Sequence, residues 1–291
     1  MTRNLSLPSG RILELGDSPC IMGIVNVTPD SFFADSRRID PAAAAERGLE
    51  LEAEGAAILD FGAESTRPGS LPIAEEEEAA RLLPAIREFR RRSNAVLSVD
   101  TRHGSVARAA LDAGADIIND ISALADPDMA RIAAAGGAAL VLMHMRGEPS
   151  TMQEKPSYDD CATEVRAFLL AAAAKALDAG VLPQAIVLDP GIGFGKTLEH
   201  NLELLGALPL LAECGYPVLV GLSRKRMIGE LTGRAVEERS PGSIGGACAA
   251  WALGADIVRV HDVAATRDAL RVFSAVWSRI PARGLARGEG D

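Results

Sequence analysis

Ala185-Ile186-Val187-Leu188-Asp189 is the stretch that decides the fold, four apolar residues closing on a carboxylate. A strand of a parallel sheet is buried on both faces and so reads as an apolar run. The residue just past its C-terminal end is where α/β sheets and barrels place ligands. Seven further runs repeat the pattern. Residues 21–25 end at Asn26, 57–62 lead to Glu64, 95–99 end at Asp100 and 116–118 at Asn119 and Asp120. Residues 138–143 end at His144, 218–222 at Ser223 and 257–260 at His261. The rhythm predicts parallel strands whose ends build one site.

The segments between the runs read as helices. Asp40 fits an N-cap with Pro41 in the first turn, and Gly55 fits the matching C-cap. The next helix opens on Glu75 to Glu78 and closes on Arg90 to Arg92, complementing the macrodipole, with Pro84 predicting a kink. Further helices are expected at 104–113, 126–135, 159–180, 199–206, 241–253 and 263–278, with a short turn after Lys225. Strands alternating with helices of this length are βαβ units. Eight of them favour an α/β fold of one closed (β/α)8 TIM barrel over an open sheet, spanning residues 1–280 as a single domain. Residues 5–15, around the turn signal Pro8-Ser9-Gly10, are expected to form a hairpin at the barrel bottom. The tail at 281–291 has little to bury and is expected to be disordered.

Composition narrows the partners. With 291 residues, 48% of them hydrophobic and only 4% aromatic, the core must be built mainly of Ala, Leu, Ile and Val. A net charge of -10 argues against a nucleic-acid surface, which needs clustered Lys and Arg. The four cysteines lie far apart without zinc-ligand spacing and read as small core residues in a reducing compartment. No apolar leader opens the chain and no run nears the ~20 residues that span a bilayer, so a cytoplasmic protein away from membranes is expected. Asn26-Val27-Thr28 fits a glycosylation acceptor by pattern, but a cytoplasmic chain does not meet that machinery. The glycines of 191–197 invite a P-loop reading, yet Pro190 stands where its first glycine belongs. A dinucleotide fingerprint fails equally, at Lys196, and the glycines fit a backbone that approaches a flat ligand.

The strand ends carry longer motifs. They are Asn26-Val27-Thr28-Pro29-Asp30-Ser31-Phe32, Glu64-Ser65-Thr66-Arg67-Pro68-Gly69, Val99-Asp100-Thr101 and Asn119-Asp120-Ile121. After them come Asp189-Pro190-Gly191-Ile192-Gly193-Phe194-Gly195-Lys196, Ser223-Arg224-Lys225 and Arg259-Val260-His261. In this order and spacing the chain, from about residue 20 to about 280, resembles the dihydropteroate synthases, pterin-binding enzymes of the folate pathway and targets of sulfonamides. The resemblance implies condensation of 6-hydroxymethyl-7,8-dihydropterin pyrophosphate with p-aminobenzoate, with release of pyrophosphate, a magnesium requirement and a homodimer.

The residue types suit that chemistry. A pterin offers a 2-amino group and a ring N–H side by side, a donor pair that the Asp189 carboxylate can accept as a fork. Asn119 and Asp100 can partner ring nitrogens, Lys225 can donate to the ring carbonyl, and the planar guanidinium of Arg259 can stack on the ring. Met143 and Phe194 would supply apolar walls. Arg259, His261 and the start of the last helix are placed to meet phosphates, and the resemblance adds Arg67. Asn26 offers magnesium a hard neutral oxygen and by resemblance is its ligand. The p-aminobenzoate would lie against Thr66, Arg67, Pro68, Phe194 and Lys225, beneath a closing loop at 29–38. An aniline is a poor nucleophile, so an SN1-like departure of pyrophosphate is expected, with Asp100 opposing the cation and Asp100, Lys225, Arg259 and His261 carrying the catalysis.

The chain departs from the family in two places. Arg226 follows Lys225 where the family commonly has a serine that helps hold the p-aminobenzoate carboxylate, and Phe33 to Arg38 replaces a Ser-Asp-Gly-Gly type loop. Asp30 after Pro29 fits a turn cap as well as a substrate role. His144 reads as packing behind the site, and His103 and His200 as surface residues. Two rivals remain. A methyltetrahydrofolate-binding methyltransferase domain would not need the 64–69 segment or the Arg259/His261 pair. A silent pterin-binding homologue with a regulatory or scaffolding role would release no pyrophosphate.

Overall fold

In the computed structural model, which describes residues 3–16, 18–28, 40–64, 70 and 73–279, every predicted run contains a strand. These are β3 (Cys20–Asn26), β4 (Ile58–Gly62), β5 (Val96–Asp100), β6 (Ile117–Asp120), β7 (Ala139–Met143), β8 (Ile186–Asp189), β9 (Leu219–Val220) and β10 (Ile257–Val260). They pair in parallel in the order β8-β7-β6-β5-β4-β3-β10-β9. A further parallel bridge, Leu188 to Val218, joins the two ends, so the sheet closes on itself. A closed sheet has no edge, and all its backbone donors meet acceptors inside the fold.

Ten helices surround it among the described residues: α1 (Pro41–Glu54), α2 (Glu75–Arg90), α3 (Gly104–Asp112), α4 (Met129–Gly136), α5 (Cys161–Asp178), α6 (Leu198–Gly206), α7 (Leu208–Ala212), α8 (Arg226–Thr232), α9 (Ser240–Ala252) and α10 (Val263–Trp277). Their ends follow local chemistry. Asp40 accepts from the Ala42 amide at 2.9 Å, and Gly55 terminates α1 at φ 106. Helix α2 runs on through Pro84 to Arg90. Helix α4 starts three residues later than expected because Asp126 is engaged elsewhere: one of its oxygens accepts from Gly104, the first residue of α3, at 2.7 Å. Helix α7 was not expected, because Pro209 reads as a helix end when it occupies the first turn of a new one.

The expected hairpin is present as β1 (Arg3–Ser6) and β2 (Ile12–Leu15), antiparallel. Two arginines fasten it to the N-terminal ends of barrel strands. Arg3 pairs with Asp256 at 2.6 Å just before β10, and Arg11 with Asp116 at 3.0 Å just before β6. The hairpin therefore plugs the end of the barrel opposite the polar strand ends. The core is aliphatic, with Phe61 and Phe89 its largest fully buried side chains, their rings tilted at 54° and 5.3 Å apart. All four cysteines are free. Among the described residues no helix is long and apolar enough to cross a membrane. The 281–291 tail, the 29–38 loop and Thr66, Arg67 and Pro68 lie outside the described residues.

Candidate active site

The C-terminal strand ends open into a cavity of about 1100 Å3, lined among others by Asn26, Asp100, Phe194, Lys225, Arg259 and His261. Register explains why these side chains meet. Asn26 pairs with Gly62, Gly62 with Asp100 and Asp100 with Asn119, so the ends of β3 to β6 stand level around the rim. Asn119, Met143 and Asp189, at the C-terminal ends of β6, β7 and β8, are buried.

A chain of charges organises the floor. Arg259 donates from Nε to Asp60 at 2.6 Å and from Nη2 to Asp100 at 2.8 Å. The Asn119 amide donates to the same Asp60 oxygen at 3.1 Å. Two of the three guanidinium nitrogens are thus committed to carboxylates, which fixes the plane of Arg259. Asp60 is fully buried and is the residue that sequence reasoning missed. Its signal was there: a charged side chain inside an apolar run needs a buried partner. Burial raises Asp100 to about 7, against the lowering pull of Arg259 and with help from Asp60. Burial also raises Asp189, opposed chiefly by the charge of Lys225.

Lys225 spans the cavity wall. Its Nζ lies 4.3 Å from the centre of the Phe194 ring and donates to the carbonyl of Ile192. Burial lowers the amine to about 8, with Asp189 pulling the other way. His261 is held by Ser223, whose hydroxyl lies 3.0 Å from Nδ1 and accepts the His261 amide at 3.3 Å. Arg226 points outward on the rim and pairs with Glu230 at 2.6 Å.

The loop after β8 corrects an expectation. Its glycines at 191 and 195 are not cleared for a flat ligand; they let the loop lie against the backbone that follows β7. A Cβ on Gly191 would sit 1.8 Å from the His144 carbonyl oxygen, and one on Gly195 would sit 2.2 Å from that of Arg146. Both hold φ near +65, where glycine is at ease. The turn aims the Gly191 amide at Asp189 Oδ1, 2.7 Å away. His144 packs behind this loop as expected, edge-on to Phe168 with ring centres 4.9 Å apart.

The other two histidines are corrected from surface to structural roles. His103 Nδ1 meets the buried carboxylate of Glu78 at 2.6 Å, and His200 completes a capping box with Thr197 at the start of α6. Glu64, Glu78 and His103 bring ligand-type atoms within 4.8 Å of one another. These charges are matched internally, however, because His103 already bonds Glu78 and Arg102 lies 3.3 Å from Glu64. Asn26 is different. It ends β3 half-buried on the wall of the cavity that His261 and Glu64 also line, and its side chain carries a neutral amide oxygen. That is the kind of donor a hard cation accepts when a substrate brings the remaining oxygens.

The chain matches the family model described as pterin binding enzyme over residues 22–261. It is 48% identical over 269 residues to the dihydropteroate synthase of Neisseria meningitidis serogroup C, covering 90% of this chain and 95% of that one. Among solved structures, Xanthomonas albilineans dihydropteroate synthase with 4-aminobenzoic acid matches at TM-score 0.89 and 46% identity, covering 97% of this chain and 100% of that chain. The Xanthomonas enzyme in complex with 7,8-dihydropteroate matches at TM-score 0.86 and 45% identity, covering 96% and 100%.

Proposed function

Because the chain belongs to the pterin-binding enzyme family and, within it, to the dihydropteroate synthases, we propose that its cavity joins 6-hydroxymethyl-7,8-dihydropterin pyrophosphate to p-aminobenzoate, giving 7,8-dihydropteroate and pyrophosphate. The observation that carries this reading is the mixed charge gathered at the strand ends: Asp100, Lys225, Arg259 and His261 line the cavity, Arg259 is paired with Asp60 and Asp100, and the charge of Lys225 acts on the buried Asp189. An anionic leaving group and a developing cation need opposite charge in adjacent places.

Asp189, held by the Gly191 amide, accepts the donor edge of the pterin, and Asn119 and Asp100 meet its other nitrogens. Lys225 donates to the ring carbonyl, Arg259 lies along the ring, and Met143 supports the pocket from behind. Arg259 and His261 meet the pyrophosphate, and the resemblance assigns Arg67 to it as well. A magnesium ion held by Asn26 and the diphosphate oxygens would supply further positive charge against the leaving group. As the C–O bond at the pterin methylene breaks, its electron pair leaves with pyrophosphate, and the ionised Asp100 opposes the charge left on carbon. The aniline nitrogen, seated against Phe194 and Lys225, attacks the methylene and loses its proton to solvent, and the resemblance assigns Thr66, Arg67 and Pro68 to the same substrate. The exposed Val272 and Val276 on α10, beside the ring stack of Phe273 and Trp277, support a homodimer, and sedimentation at the mass of one chain would remove it. Four free cysteines fit a reducing cytoplasm, which fractionation of cells making the protein tests.

The test is pyrophosphate release. It should require both the dihydropterin pyrophosphate and p-aminobenzoate and should stop when magnesium is chelated. Protein that bound the pterin yet released nothing on addition of p-aminobenzoate would favour the silent homologue instead.

The displaced titration of Asp100 gives a second test. Its value in the fold, about 7, lies above the ordinary 3.8, so between those values the folded state holds a proton that the unfolded chain releases. The stability this carboxyl contributes is complete below that window and falls as pH rises through it. The unfolding free energy of wild type minus that of Asp100→Asn should therefore decline across the window and then level off. A difference that stays flat with pH would contradict the burial described above.

A further inference from the structure

Four protein acceptors surround the amine of Lys196. The residue is 3% exposed, and its Nζ lies 3.0 Å from the carbonyl oxygens of both Gly191 and Phe194. His144 supplies the other two contacts, its carbonyl at 3.3 Å and its ring Nδ1 at 2.9 Å. As the ammonium, Lys196 donates to these acceptors, an arrangement that takes His144 as the neutral ring with its proton on Nε2. Burial, with Lys196 and Arg146 beside it, lowers His144 to about 3, so the ring is neutral. Burial also lowers Lys196 to about 7, with Cys161 and Asp189 pulling up and Lys225 and Arg146 pulling down.

The amine is the central tie of a loop whose carbonyls are all occupied. From 191 to 195 the partners are Lys196, Lys225, Gln153, Lys196 again and the Tyr158 hydroxyl. Two of these carbonyls fall to one ammonium, which thereby joins the two ends of the turn. Between them sit the features the cavity uses: the Ile192 carbonyl that receives Lys225 and the Phe194 ring beneath the same amine. The Gly191 amide that orients Asp189 belongs to the same turn.

We propose that Lys196 is a positioning residue for the reaction: its buried ammonium, seated on His144, fixes the loop after β8 so that Phe194 and the Ile192 carbonyl hold Lys225 over the cavity. The proposal rests on the reading of this cavity as the pterin and arylamine site. Lys196 does not act on the reacting atoms; it acts through Phe194 and Lys225. Small misplacement of such groups is enough to cost large factors in rate.

Steady-state kinetics of Lys196→Met, with both substrates varied, test it. The KM values for p-aminobenzoate and the dihydropterin should rise by roughly 10-fold or more, because the wall they lie against has shifted. A residue that only stabilised the fold would lower the active fraction and leave KM unchanged. His144→Leu and His144→Gln leave Lys196 in place and keep the question answerable if Lys196→Met does not fold. Leucine removes the ring acceptor and should raise both KM values; glutamine restores an acceptor oxygen and should bring them back toward wild type. Wild-type KM values in folded Lys196→Met, or leucine and glutamine variants with the same KM, would overturn the proposal while the reading of the site stood. A wild-type protein turning over neither substrate would overturn that reading, and this proposal with it.

Discussion

Arg259→Ala should unfold about 3–5 kcal/mol more easily than wild type, the usual effect of removing one partner of a buried ion pair. The reason lies in what it leaves behind. Asp60 is fully buried and has one oxygen that already lacks a hydrogen-bond partner, while the other is shared by Arg259 and Asn119. Without the guanidinium, Asp60 and the largely buried Asp100 face each other with no cation between them. Turnover should fall by roughly 10²-fold or more, since a positive group aimed at the leaving pyrophosphate disappears as well. Urea unfolding and pyrophosphate release measure the two effects separately. Adding Asp60→Asn to Arg259→Ala should return part of the stability and none of the activity. If the double variant were no more stable than the single one, the uncompensated Asp60 would not be the cause.

Gly191→Ala should be nearly as severe, by a different route. A side chain at φ +66 costs about 1–2 kcal/mol in any setting. The new methyl would also sit 1.8 Å from a main-chain oxygen, which cannot rotate aside. Forced displacement of packed neighbours adds about 1–3 kcal/mol, and the loop that moves carries Phe194 and the Gly191 amide that holds Asp189, so pterin affinity should fall with stability. Gly233→Ala separates the two contributions. It has φ +71 and nothing within 4 Å of the added carbon, so it should show the backbone strain alone. Equal losses at 191 and 233 would mean that the loop yields at no cost and that its contact with β7 is loose.

The sequence made the strand ends legible because burial on both faces leaves few alternatives for an apolar run, and a polar residue just past such a run is conspicuous. Asp100, Lys225, Arg259, His261 and Asn26 were readable for that reason, and they do share one cavity. Asp60 was not, because its purpose depends on a partner 199 residues away. Lys196 escaped for a related reason: a lysine at the end of a glycine-rich turn looks solvated until His144, 52 residues earlier, is brought against it. Gly191 and Gly195 were located correctly and given the wrong neighbour, since their spacing signals close approach without saying what approaches, whereas Gly193 does line the cavity. Helix boundaries were readable where the cap is local, as at Asp40 and Gly55, and shifted where the capping carboxylate serves another element, as Asp126 does.

The hairpin under the barrel bears on the order in which the chain can assemble. Arg3 has its carboxylate partner at Asp256, 253 residues further on, and that residue leaves the ribosome only when β10 is about to follow. Arg11 finds Asp116 much sooner. During synthesis the hairpin is therefore tethered at one corner only, and the growing sheet keeps an open edge until its last strands arrive. Contacts so distant in sequence close late. The plug is set as the final latch, and a chain halted before Asp256 would expose both an unsealed base and an unpaired strand to its neighbours.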